Sequence, residues 1–124
     1  GNHLGNDTLI SLISDARTLF LCHYGMPPDD VANSRSSTLI TDLATLYKAP
    51  AFLNDQLLIE VGVTDLNRYG GDFIYRITRQ CDNSVIALAK NGFVFFDFVA
   101  SKVVEIPAEF KERFSALAES CIIQ

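Results

Sequence analysis

Apolar residues recur at Leu9, Ile10, Leu12, Ile13, Ala16, Leu19 and Phe20, directly after a polar run of Gly1, Asn2, His3, Gly5, Asn6 and Asp7. That spacing of threes and fours puts them on one face of a helix, predicted over 8–23. Asn6 and Asp7 stand where N-caps belong, since their side-chain oxygens can accept from the first unpaired backbone N–H groups. Tyr24-Gly25, followed by Pro27-Pro28, ends the helix. A polar loop over 26–37 comes next, and then the period switches to two. Leu39, Thr41, Leu43, Thr45 and Tyr47 alternate with Ile40, Asp42, Ala44 and Leu46, a strand stopped by Lys48-Ala49-Pro50. In a second strand, Leu57, Ile59, Val61 and Val63 oppose Gln56, Glu60 and Thr64. Residues 67–71 turn the chain, and turn geometry accounts for Gly70-Gly71. A third strand alternates Phe73, Tyr75 and Ile77 with Asp72, Arg76 and Thr78, and Cys81-Asp82-Asn83-Ser84 reads as a hairpin connection.

The fourth strand, over 85–98, is apolar on both faces. Val85, Ala87, Ala89, Phe93 and Phe95 line one, and Ile86, Leu88, Val94, Phe96 and Phe98 the other. Such a strand belongs at the centre of a sheet, covered on both sides. One helix covers one face, so a second copy of the chain is the candidate for the other. Pro107 then opens a short helix carrying Phe110, Phe114 and Leu117 on one side. The order is helix, four strands, short helix, without repeats or linkers: a single α+β domain over 1–124. A long central helix wrapped by an antiparallel meander is a hot-dog-like arrangement.

Composition narrows the function classes. With 48% hydrophobic and 20% charged residues, the chain of 124 residues is of ordinary globular type. Its net charge of −5 and scattered basic residues argue against a nucleic-acid partner. No apolar run reaches the roughly 20 residues of a membrane span, and nothing resembles a signal peptide. Cys22, Cys81 and Cys121 are odd in number and far apart, which suits reduced packing thiols better than a disulfide or zinc framework. A cytoplasmic location is the default expectation. Neither a metal nor a nucleotide motif is present.

Four stretches also match a family in order. HLGNDTLISLISDARTLFL resembles the helix start of 4-hydroxybenzoyl-CoA thioesterase-like acyl-CoA thioesterases, typically GHVNN, then apolar residues, then an acidic residue before Ala-Arg. YKAPAFLND, at 47–55, is similar to the family's Tyr-x-x-Pro-Ala and Gly-Asp, with Asn54 in place of the Gly. LLIEVGVTDLNRYGGDFIYRI resembles its paired strands, and FVFFDFVASKVVEIP its closing Val-Phe-x-Asp and Ile-Pro. The resemblance implies a hot-dog fold, acyl-CoA thioester hydrolysis with no cofactor besides the CoA substrate, and assembly as a homodimer or homotetramer. It also implies a first strand ending in a catalytic Asp, and that Asp aligns just ahead of Gly1. Either the natural chain continues upstream, or it lacks that carboxylate.

Thioester cleavage needs an activated water or carboxylate nucleophile, and donors for the developing oxyanion. In the families resembled, a backbone N–H at the helix start polarises the thioester carbonyl, and the matching residue is Asn6. His3 matches the His of GHVNN, which meets the acyl carbonyl or orders the loop, and Asp7 is the nearest carboxylate in the chain. These three are the candidate catalytic residues; a capped helix with a solvated entry loop would use the same ones. Gly5, Tyr47, Arg68 and Lys90 are candidate substrate contacts, with Lys48 and Lys102 as further cations for CoA phosphates. A second thioesterase type places its carboxylate on the helix at the position of Ser14. Asp15 is one residue off, rotated by about 100°, and reads better as a surface residue or an ion pair with Arg17. Asp42 and Asp97 suit edge or turn-closing roles, and His23 suits the helix C-terminus. The expected function is acyl-CoA thioesterase. A hot-dog module that binds acyl thioesters or only oligomerises is the alternative. A hot-dog dehydratase lacks its His-Phe-Pro-Gly signature here.

Overall fold

The doubly apolar strand is the centre of the sheet. The structure, a computed structural model, describes residues 4–25 and 36–120. Its elements run α1 (Asn6–His23), β1 (Ser36–Tyr47), β2 (Leu57–Thr64), β3 (Gly70–Arg79), β4 (Val85–Asp97), β5 (Lys102–Val104) and α2 (Ala108–Ser120). The expectations for His3, for the loop at 26–35 and for Cys121 lie outside the described residues, as does the side chain of Leu117. The strands form one sheet in the order β1-β4-β3-β2, with β5 also paired to β4. Every pairing is antiparallel. β2, β3 and β4 follow one another as a meander. β1 departs from it, crossing to the other edge of β4. The short β5 falls below the length at which alternation is visible in a sequence; it takes up the β4 edge beyond Gly70, where β3 stops.

One face of the sheet packs on α1. Leu9, Ile13 and Leu21 of the helix join Phe73, Tyr75 and Ile77 of β3 and Ala87, Ala89, Phe93 and Phe95 of β4 in a single buried core. Burying side chains of this size is the main source of stability, at about 1.5–3 kcal/mol for each large apolar one. Leu19 does not share that fate: it is 70% exposed, because the stripe facing the sheet is narrower than the apolar face of the helix. α2 closes the far end, where Phe110 meets Phe93 and Phe95 edge-on and Phe114 lies against Phe20 and Tyr24. Arg113 of α2 donates to the carbonyl of Tyr24, the residue that ends α1. A helix cradled by an antiparallel sheet is the hot-dog arrangement expected.

Gly70 and Gly71 do not make the turn. Asn67 does, its Oδ1 accepting from the N–H groups of Tyr69 and Gly70 at 2.9 and 3.0 Å. The glycines open β3, and a Cβ on Gly70 would sit 1.8 Å from the carbonyl oxygen of Phe93. Close approach of β3 to β4 is what requires glycine there.

Candidate active site

α1 begins two residues ahead of the predicted start at 8. Asn6 is the first helical residue and Gly5 is the N-cap. Neither Asn6 nor Asp7 is therefore the cap, and glycine has no side chain to serve as one. The first backbone bond runs from Leu9 N–H to Gly5 C=O at 3.1 Å, leaving the amides of Asn6, Asp7 and Thr8 without a partner inside the helix. Gly5 adopts φ −80° and ψ 161°, open to any residue, and among the described residues a Cβ there would meet nothing within 4 Å. Exposed amides, the positive end of the helix dipole and open space above Gly5 make an anion-receiving end.

The neighbouring wall is segment 47–55. Leu4 N–H donates to Ala51 C=O at 2.6 Å, and Lys48 and Ala49 N–H both donate to Ile86 C=O. Arg79 holds the rest, reaching Pro50 C=O at 3.0 Å and Asp55 at 3.2 Å, while Asp55 accepts from Phe52 N–H at 2.8 Å. Phe52 and Leu53 stay 50% and 86% exposed, an apolar rim beside the helix start. Tyr47, the last residue of β1, donates from Oη to Asn6 Oδ1 at 2.7 Å. Gly5, Asn6, Asp7 and Tyr47 are thus gathered at one end of the fold.

Two candidates lie elsewhere. Lys90 pairs with Ala44 and Ile74 and rims a groove of about 340 Å³ on the outer face of the sheet, away from α1. Arg68 follows β2 at the opposite end and pairs with Glu105 at 2.6 Å. The register puts the β3 start level with Val94 and Tyr47 level with Ala87, about 23 Å apart along β4. Neither cation reaches Asn6 of its own chain.

The acidic residues resolve individually. Asp7 is exposed in the first helical turn. Asp15 is exposed and unpaired with Arg17, lining a groove of about 510 Å³ between α1 and β2 with Leu12, Ala16, Leu57 and Ile59. Asp97 closes a turn, accepting from Val99 and Ala100 N–H at 2.9 Å each. Asp42 accepts from Gly92 N–H at 2.7 Å. Asp72 has its pKa raised by burial, with Asp65 and Asp42 adding to the rise and Lys90 opposing it. Asp82 is held low by the Ser84 N–H and by Arg79. Among the described residues, no group of three His, Cys, Asp or Glu side chains gathers to hold a metal, and no helix is long and apolar enough to cross a membrane.

Periodicity did not single out the polar group inside the core. Asn91 is 4% exposed; its Oδ1 accepts from Tyr75 Oη and Arg17 Nη1, both at 2.8 Å. Arg17 also donates to Tyr75 Oη at 3.2 Å and to Ser14 Oγ at 3.4 Å. Burial raises the pKa of Tyr75, partly offset by Arg17. An Asn on the apolar face of a strand, Ala89-Lys90-Asn91-Gly92-Phe93, was the available signal.

The comparison that decides the family is a match of the Thioesterase-like superfamily to residues 1–114. The chain belongs to that superfamily. Solved structures with this thioesterase-like fold include a Staphylococcus aureus protein in complex with CoA, with a TM-score of 0.89 at 13% identity, covering 100% of this chain and 78% of that one. A 1,4-dihydroxy-2-naphthoyl-CoA thioesterase from Synechocystis has a TM-score of 0.84 at 14% identity, covering 94% and 85%. The probable thioesterase YbaW from Escherichia coli has a TM-score of 0.77 at 21% identity, covering 94% and 87%. At these identities the similarity is one of fold. No curated protein matches the chain.

Proposed function

We propose that the chain hydrolyses acyl-CoA thioesters to the free acid and CoA. The observation that carries this is the start of α1, where Gly5 caps without a side chain and the amide of Asn6 stays open beside Tyr47. Superfamily membership and a fold neighbour holding CoA support the substrate class. Water attacks the thioester carbonyl carbon, a carboxylate takes the water proton, and the Asn6 N–H receives the oxyanion in a preorganised dipole. Collapse of the intermediate breaks the C–S bond, and the thiolate of CoA leaves and is protonated. The resemblance puts that carboxylate just ahead of Gly1, with His3 toward the acyl carbonyl; Asp7 is the carboxylate of the first turn. Lys90 and Arg68 reach CoA phosphates only at a site that a second copy of the chain completes.

Binding without cleavage is the second reading. It is favoured by Ser14, which stands where another thioesterase type carries its helix carboxylate. Release of free thiol from short, long and aromatic acyl-CoAs by the protein separates the two. Hydrolysis that disappears in Asn6→Pro supports the enzyme; binding of acyl-CoA with no thiol release replaces it with the module.

A further inference from the structure

Tyr47 meets Asn6 because β1 contains one residue more than its partner. Strand side chains alternate with a period of two, so residues an odd number of positions apart face opposite ways. Ile40 packs on the core, on the helix side. Tyr47 follows it by seven positions, and an unbroken strand would turn it away from α1. The register supplies the correction: Ile40 pairs with Phe93 and Asp42 with Gly92, leaving Thr41 extra. Both residues of this bulge stand over Gly92. A Cβ on Gly92 would come within 2.8 Å of both Asp42 carboxylate oxygens and of Thr41 Oγ1. Beyond the bulge the faces are exchanged, and Leu43, Thr45 and Tyr47 look toward the helix.

The bulge is fastened from both sides. Asp42 Oδ1 accepts from Gly92 N–H at 2.7 Å, and the Asp42 carbonyl accepts from Asn91 Nδ2 at 3.3 Å. Asn91 is held in turn by Arg17 of α1 and by Tyr75. The spans then match. Asn6 to Arg17 covers about 16.5 Å of helix at ~1.5 Å per residue, and Asp42 to Tyr47 about 16.5 Å of strand at ~3.3 Å per residue. With the far ends joined through Asn91, the near ends arrive together at the Tyr47–Asn6 bond.

We infer that Thr41, Asp42, Gly92, Asn91 and Arg17 form a register lock whose task is to position Tyr47 at the helix-start site. Its consequence for turnover rests on the thioesterase reading above; its geometry does not. The test reads both. By NMR, the Tyr47 ring should show a nuclear Overhauser contact with the Asn6 side-chain amide, lost on deletion of Thr41 and weakened in Asp42→Ala. Asp42→Asn keeps an acceptor for Gly92 N–H and should restore it. With an acyl-CoA substrate, Asp42→Ala should lower kcat by about tenfold or more while KM holds. The same change made in a Tyr47→Phe background should cost less than about twofold, since sites that act through one group are not additive. An Overhauser contact of undiminished intensity in Asp42→Ala, or an equal kcat loss in both backgrounds, overturns the proposal. Should the unaltered protein release no thiol, the thioesterase reading falls, and the Overhauser contact alone decides the lock.

Discussion

Tyr47 Oη donates to Asn6 Oδ1 at 2.7 Å, linking the last residue of β1 to the first residue of α1. Asn6 is the first helical residue and not the cap, so its side-chain oxygen is free to take the strand's hydroxyl. The backbone amides stay open because the N-cap, Gly5, has no side chain to accept from them, and the end of the helix is tied to a strand. Structural support and free donors at one point are what an oxyanion site needs.

Substitutions at Asn6 separate its two roles. Asn6→Ala removes the Tyr47 bond and keeps the N–H, so part of the proposed thioesterase activity should survive. Asn6→Pro removes the N–H itself and should abolish activity. Because Asn6 is the first helical residue, proline is tolerated there, and a melting temperature near that of the unaltered protein would show that the loss is chemical. Equal activity in the two variants would remove the Asn6 amide from the mechanism.

Asp7 supplies charge at the helix start, since the cap is Gly5. Its contribution through the dipole is about 0.3–1 kcal/mol, and Asp7→Ala should cost no more than that in denaturant unfolding. If it is also in the site, kcat should fall by far more than the fraction of unfolded protein explains. Full activity per folded molecule would restrict Asp7 to the dipole.

What the sequence made legible was what hydrophobic periodicity controls. The long helix, β2, the central β4 and the aromatic face of α2 all follow from it, because burial of apolar faces decides them. Reading Leu39 to Tyr47 as one unbroken alternation put Ile40 and Tyr47 on opposite faces; the bulge at Thr41 puts them on the same one. That bulge is set by Gly92 and Asn91, about 50 residues later in the chain, and no local pattern contains it. Arg17 went the same way. From the sequence, Asp15 reads as a surface residue or an ion pair with Arg17; it is exposed at the surface, and the fold supplies Arg17 with Asn91 and Tyr75. At the helix start the residue types drew attention to the right place. Neither Asn6 nor Asp7 caps: Gly5 holds that position, and Tyr47, from another element, takes up the side chain of Asn6.

Asp72 gives a dependence on pH with a definite sign. Burial raises its pKa, and the neighbouring Asp65 and Asp42 add to this, so the folded protein binds that proton more tightly than the unfolded chain. Its contribution favours folding at low pH and is lost as pH rises through the raised value. Asp72→Asn should therefore be more stable than the unaltered protein at pH 7, with the difference closing as pH drops below the carboxylate range. Paired melting curves from pH 3 to 8 test it. A difference that is constant over that range, or widens toward acid, would show that ionisation of Asp72 carries no cost.

The outer face of the sheet predicts assembly. Leu39, Leu46 and Leu58 are 39%, 55% and 46% exposed on strands whose other face is the core, and Leu88, Val94 and Phe96 between them are half-buried. An apolar surface spread over several strands is seldom left to water in a stable monomer. Light scattering at micromolar concentration should therefore report a homodimer or a homotetramer. Two charge substitutions on adjacent residues of β4 distinguish assembly from folding. Phe95 is 6% exposed, among Phe93 and Phe110. Phe95→Asp loses about 3–5 kcal/mol of packing and buries an unpaired charge, against a typical total of about 5–15 kcal/mol; it should not fold. Phe96 faces the other way, against Phe98. Phe96→Asp should fold, with helix and sheet intact by circular dichroism, and scatter as a smaller species. If the Phe96→Asp protein keeps the oligomeric mass of the parent, assembly does not use this face. If the parent is itself a monomer, the prediction fails outright.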